Sequence, residues 1–281
     1  MPEIHSNFHD FQQDLYNYRP QVVARGSFSQ SNDPDADYRS KGQQCTACAV
    51  VYCFGHYTGR EVDRDFMDEC TGSGSFNHKD ICTKIRLTTG FRMLSVDDIR
   101  KHGELCYLDT KKFKIGVLFE GGGSSDTLQN DTARANGFPP FACMNLMAGI
   151  RKAFEKSNYL ILTVSCYTSA LIKRGDEDFL WLDSHGNNME GYLDGSGVSC
   201  AMKFSFLSHF CFLMYKRHPN WSNYNVCAIG MEEIETPQVS EPAKMISQEI
   251  GAELQVYTLY NAIYLFLSAS YFQNCKSSYT H

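Results

Sequence analysis

Phe179-Leu-Trp-Leu-Asp183-Ser-His185-Gly186 is an apolar run that ends in Asp-x-His-Gly. Successive side chains of a strand point to opposite faces, so Asp183 and His185 project to the same side. A histidine beside a carboxylate is a poised base, and Gly186 allows a turn or a close backbone approach directly after it. Far upstream, Gly42-Gln-Gln-Cys45-Thr-Ala-Cys48-Ala-Val-Val51 opens a stretch of Ala, Val, Tyr and Phe that reads as a mostly buried helix to about Tyr57, closed by Gly59. Cys45 then sits at a helix N-terminus. A thiol is mostly protonated near neutral pH, and a helix N-terminus and an imidazole each favour the thiolate. The pattern predicts acyl transfer, with Cys45 as nucleophile, His185 as general base and Asp183 as the acid that orients the ring.

Acyl transfer also needs a donor for the developing oxyanion, and a side-chain amide ahead of the nucleophile can join the backbone N–H of Cys45 in that task. Gln30, Gln43 and Gln44 are the available amides. Gln44 adjoins Cys45 and is expected to point away, so Gln30, on the turn-rich loop Ser29–Gly42, is the favoured donor, with Gln43 next.

The 281 residues carry 43% hydrophobic content and a formal net charge of -6, which suits a globular protein with a full core. This balance argues against a phosphate-dominated nucleic-acid binder; the basic cluster Lys111-Lys-Phe-Lys114 reads as a solvated strand edge. Twelve cysteines in a chain of this length, behind a polar Met1-Pro-Glu-Ile-His start, point to reduced thiols in an intracellular setting, cytoplasmic or nuclear.

Along the chain, residues 1–20 read as a polar leader and 21–218 as the catalytic domain. Within it, helices are expected around Val96–His102, Cys143–Lys156 and Ser205–Tyr215. A strand is expected at Phe113–Glu120, and the following Gly121-Gly-Gly-Ser-Ser-Asp126 reads as a hairpin tip or mobile rim. Tyr159–Ser165, Phe179–Asp183 and Met202–Phe206 read as a short antiparallel sheet. His209 is expected to be a packed histidine rather than a ligand. Residues 219–281 read as an acidic, proline-containing linker followed by an apolar helix at Val256–Phe272, which is too interrupted for a membrane span and is expected to dock on the domain or a partner.

Two other chemistries compete. Cys45-Thr-Ala-Cys48 could be a thioredoxin-like dithiol, but no strand precedes it, and Cys48 is expected to pack inward as a small apolar residue. A zinc-stabilised binding module would need paired knuckles, and only Cys45-x-x-Cys48 has that spacing.

Taken in order, Gln30, Gln44-Cys45, the segment Tyr159-Leu-Ile-Leu-Thr-Val-Ser-Cys-Tyr-Thr-Ser-Ala170, Asp183-Ser-His185-Gly186 and Met202-Lys-Phe204 through Tyr215 resemble the deubiquitinating cysteine protease at the N-terminus of herpesvirus large tegument proteins. The resemblance spans roughly residues 20–217. It implies an α/β (α+β) papain-like fold, with the nucleophile helix packed on a short antiparallel sheet. It also implies hydrolysis after the ubiquitin C-terminal Gly-Gly with no cofactor or metal, ubiquitin or ubiquitinated proteins as partners, and a virion tegument location if the chain is viral. In that pattern Cys45 is the nucleophile, His185 the base, Asp183 the orienting acid and Gln30 the oxyanion donor. An inactive ubiquitin-binding relative is the third alternative.

Overall fold

The computed structural model describes residues 14–85, 92–108, 110–124, 127–136, 141–219, 221 and 223–234. Its centre is an eight-stranded sheet built from β1 (Gln21–Arg25), β2 (Leu105–Tyr107), β3 (Lys111–Ser124), β4 (Tyr159–Val164), β5 (Tyr167–Gly175), β6 (Asp178–Asn187), β7 (Val198–Phe204) and β8 (Asn223–Ile234). The strand order is β1-β7-β6-β5-β4-β8-β3-β2, and the paired strands run antiparallel.

Both faces of the sheet are covered, and the twofold alternation of side chains divides them between two cores. Ile161, Ala170, Leu180, Leu182 and Ile229 face α1 (Cys45–Tyr57), α2 (Arg64–Lys84) and α3 (Val96–His102). Leu160, Leu162, Leu171, Trp181 and Met202 face α5 (Phe141–Phe154) and α6 (Leu207–Arg217), while α4 (Thr127–Ala135) precedes α5. Strands covered on both sides have no solvent face, which is why β4 and β6 read as continuous apolar runs.

Helix α1 is buried at every position from Cys45 to Gly55 because the sheet lies on one side and α2 on the other. A helix enclosed in this way is apolar all round. Gly74 allows the close approach of α2: a Cβ there would lie 2.6 Å from both Cα and Sγ of Cys48. Sequence reading left α2 unassigned, because Thr71-Gly-Ser-Gly-Ser75 interrupts it with loop-forming residues. Its buried face, Phe66, Met67, Cys70, Gly74, Ile81 and Cys82, nonetheless repeats at helical spacing, and Asp63 caps it by accepting from Phe66 N at 2.7 Å.

Four expectations need correction. Gly121, Gly122 and Gly123 are not a hairpin tip; they continue β3 and pair with Val226, Asn225 and Tyr224. The expected short sheet is a wide one. The boundary at Pro219 is also misplaced, since β8 joins β4 on one side to β3 on the other and so belongs to the interior of the sheet. Its run Val226–Ile229 is buried, a signal masked in the sequence by the polar residues at both of its ends. Contacts group the chain to Ile234 as one unit, and Glu235–His281, including the Val256–Phe272 run, lies outside the described residues. The proposed leader is likewise shorter than residues 1–20. Leu15 is buried, and Tyr18 stacks on His209 at 3.8 Å, while His209 Nε2 meets Asp14 Oδ2 at 2.7 Å. Lys111, Lys112 and Lys114 form ion pairs with Glu233, Glu104 and Glu232 along the outer strands. Among the described residues no helix is long and apolar enough to cross a membrane.

Candidate active site

Cys45 is the first residue of α1 and is fully buried. The preceding residue, Gln44, makes no side-chain cap, so no side-chain oxygen neutralises the positive end of the helix beside the thiol. Residues 30–44 reach Cys45 through turns rather than a strand, unlike the entry to a thioredoxin dithiol. Cys48 faces away into the core, where its thiol donates to the Thr71 carbonyl at 3.7 Å. Among the described residues no group of three or more His, Cys, Asp or Glu side chains is arranged to hold a metal ion.

The Cys45 thiol lies close enough to the His185 ring and to Thr168 for both to pull its pKa down. Thr168 stands on β5, and its hydroxyl also meets Thr163 Oγ1 at 2.9 Å. Nothing in the sequence distinguishes Thr168 from any other strand threonine. His185 Nδ1 meets Asp183 Oδ1 at 2.5 Å, which leaves Nε2 as the nitrogen for the thiol. Asp183 and His185 do share a site, on a stretch of β6 where pairing with β7 shifts register between Asp183 and Asn187. Gly186 permits that irregularity: its carbonyl accepts from Asp194 N at 2.9 Å, and a Cβ there would lie 2.4 Å from the Asp194 carbonyl oxygen.

Two residues that sequence reading did not single out complete the carboxylate's environment. Asp183 Oδ2 accepts from Asn187 Nδ2 at 3.1 Å and from Arg217 Nη2 at 2.5 Å. Arg217 ends α6, and its Nη1 donates to Asn187 Oδ1 and, at 2.6 Å, to the Gly191 carbonyl. The side chains of Arg217 and Asp183 are each 1% exposed. Asn187 carried a signal, since Asp183, His185 and Asn187 are spaced by two along one strand. Arg217 had none, because the contact joins residues from separate elements.

These neighbours set the protonation states. Burial pushes the Asp183 carboxyl upward, but His185 and Arg217 overcome it and hold the group well below the carboxylate range. Burial also opposes charge on His185, yet the Asp183 carboxylate, with help from Cys45, raises the imidazole to about 9. The Cys45 thiol feels burial as its largest influence, an upward one, which the His185 hydrogen bond and charge and the Thr168 hydrogen bonds reverse to a net lowering. Both shifts favour the thiolate-imidazolium form of the pair, and the buried carboxylate favours the imidazolium. Cys48, by contrast, is raised by burial and by Cys45.

Gln30 lies fully buried on the loop before α1. Its backbone N–H donates to the Ser184 carbonyl at 2.8 Å, and its Oε1 accepts from Ser184 Oγ at 3.0 Å. Its Nε2 has no hydrogen-bond partner, an arrangement that costs about 1–3 kcal/mol in a folded protein. Gln44 turns back into its own loop, with Nε2 3.5 Å from Ser40 Oγ, and Gln43 Nε2 reaches the Arg39 carbonyl at 3.5 Å. Neither offers a free buried donor.

The β4-β5 hairpin turns through Ser165 and Cys166, both at positive φ (49° and 69°), as a two-residue hairpin requires. It brings Tyr167 over the site, with its ring 4.9 Å from His185 and also 4.9 Å from His218. A groove of about 580 Å³ runs along Thr46, Thr168, Thr163, Val117 and Leu94, next to the first turn of α1 but without Cys45, His185, Asp183 or Gln30 in its lining. A second cavity, about 490 Å³, lies by Arg151, Lys173 and Phe206 and includes none of the predicted site residues.

No family model matches the chain, and no curated protein matches it by sequence. Among solved structures the fold is similar to the ubiquitin-specific protease encoded by murine cytomegalovirus tegument protein M48, solved in complex with a ubiquitin-based suicide substrate. The match has a TM-score of 0.57 at 14% identity and covers 77% of this chain and 89% of that one. At that identity the likeness is one of fold: helices on an antiparallel sheet arranged as in a viral ubiquitin protease.

Proposed function

We propose that this chain is a papain-like cysteine protease that hydrolyses the bond after the C-terminal Gly-Gly of ubiquitin. The observation that carries the reading is the buried Asp183-His185 pair, joined at 2.5 Å, whose imidazole holds the buried Cys45 thiol below its ordinary range. A fold similar to that of a viral ubiquitin-specific protease supplies the substrate class.

The Cys45 thiolate attacks the glycine carbonyl, and the developing oxyanion takes hydrogen bonds from the Cys45 backbone N–H and the free Nε2 of Gln30. That the Gln30 amide lacks a protein partner supports this role, since a donor reserved for the transition state needs none in the ground state. His185 passes its proton to the departing amine, leaving a thioester on Cys45, and then takes a proton from the water that hydrolyses it. Asp183 keeps the ring in the tautomer and orientation for both transfers. Tyr167, against His185, narrows the approach and favours glycine at the scissile position.

The test is covalent labelling by ubiquitin bearing a C-terminal electrophile, followed by peptide mapping. The expected adduct is on Cys45, absent in Cys45→Ala and nearly absent in His185→Ala. Labelling of Cys45→Ala at the wild-type rate would overturn the nucleophile assignment. Ubiquitin binding without adduct or turnover by the wild-type chain would make it a ubiquitin-binding relative instead.

A further inference from the structure

We propose that Arg217 is a positioning residue: its buried guanidinium clamps the outer oxygen of Asp183 and, through Asn187, fixes the carboxylate that orients His185. The inference rests on the cysteine protease reading but concerns a residue from another element of the fold. Asp183 has four donors, the ring and backbone N–H of His185 on one oxygen and Asn187 and Arg217 on the other. With both oxygens held, the carboxylate cannot rotate away from the imidazole. Arg217 is anchored in turn by Asn187 Oδ1, by the Gly191 carbonyl and by the Trp181 ring, whose centroid is 5.0 Å from its Cζ. Arg25 Nη2 holds the Asn187 carbonyl at 2.8 Å from β1. A planar fork meets this set of acceptors where a single ammonium does not.

The sign of the charge effect separates positioning from mere proximity. The titratable groups within electrostatic reach of the Asp183-His185 pair are Cys45, Cys48 and Tyr52 from α1, Cys200 from β7, and Arg217 and His218 at the end of α6, and Tyr167 from β5 packs its ring against His185. As a nearby cation alone, Arg217 would disfavour the imidazolium, and removing it would make the Cys45 thiolate easier to form. As the clamp on Asp183, its removal leaves a buried carboxylate without its counter-charge. That carboxylate then binds a proton, His185 loses its anionic partner, and the thiolate becomes harder to form.

The experiment measures the pH dependence of Cys45 alkylation by iodoacetamide on the full chain, with site occupancy read by peptide mass spectrometry. Arg217→Met should move the Cys45 midpoint up by about one pH unit, a tenfold loss of thiolate well below it. In the Asp183→Asn background the same substitution should add no shift, because the carboxylate it acts through is gone. An unchanged or lowered midpoint, or an equal rise in both backgrounds, overturns the assignment. If Arg217→Met fails to give a cooperative thermal transition, Arg217→Gln is read instead. It keeps a hydrogen-bonding side chain but loses the charge and the fork, and an unmoved midpoint there overturns the clamp. Iodoacetamide needs no ubiquitin, so the two readings fail separately: a chain with this alkylation behaviour that ignores the ubiquitin electrophile sinks the substrate assignment alone.

Discussion

Ending the chain near residue 220 should unfold the domain, whereas ending it at Ile234 should not. The shorter chain loses β8, whose Val226 and Ile229 are fully buried; burying each is worth about 1.5–3 kcal/mol, or about 3–6 together. It also strands β3, because β8 alone joins β3 to β4. Phe113 and Ile115 on β3 are buried as well, and their exposure adds about another 3–6 kcal/mol. The combined loss of about 6–12 kcal/mol matches the whole stability of an ordinary domain, about 5–15 kcal/mol. The assay compares both truncations with the full chain by far-UV circular dichroism during thermal unfolding and by reaction with the ubiquitin electrophile. A chain ending near residue 220 that melts cooperatively within a few degrees of the longer one would refute the reasoning and return β8 to a dispensable tail.

Gln30→Ala should lower kcat about a hundredfold while leaving Cys45 alkylation by iodoacetamide nearly unchanged, since an oxyanion donor acts only on the transition state; a wild-type kcat would transfer the role to another donor. The rate profile of ubiquitin hydrolysis should rise through the lowered Cys45 value and fall above pH of about 9, where His185 loses its proton. Stability has a matching sign. His185 is held above its ordinary 6.5, so its contribution is complete below 6.5 and is lost as pH rises toward about 9. His185→Gln should flatten that part of a urea-unfolding series, and an unaltered slope would show that the pair does not ionise as argued.

The structure brings together Cys45, Asp183 and His185 and places Gln30 against Ser184 beside them. The first three were legible because each carries a local signature: a cysteine opening an apolar helix, and a carboxylate two residues before a histidine on a strand. Gln30 was favoured among three glutamines from its place on the loop, but that its Nε2 is buried without a partner depended on which hydrogen bonds the loop had already satisfied. Thr168, Asn187 and Arg217 were missed for a related reason. Their importance comes from contacts between elements, and Arg217 meets Asp183 across 34 positions of chain.

The same division runs through the fold. Sequence by itself determined the helices at Cys45–Tyr57 and Val96–His102 and the apolar strands on either side of Asp183, since hydrophobic period and end signals are local quantities. It did not determine α2, whose Gly and Ser residues read as a loop until α1 approaches within the space that Gly74 leaves. Nor did it determine the extent of β3 or the membership of β8. A strand between two others is stabilised by ladders formed on both edges and by side chains packed on both faces, and those partners lie far away along the chain. Only the tertiary structure decided which polar-flanked segment sits inside the sheet, and which arginine reaches the carboxylate beneath the candidate catalytic histidine.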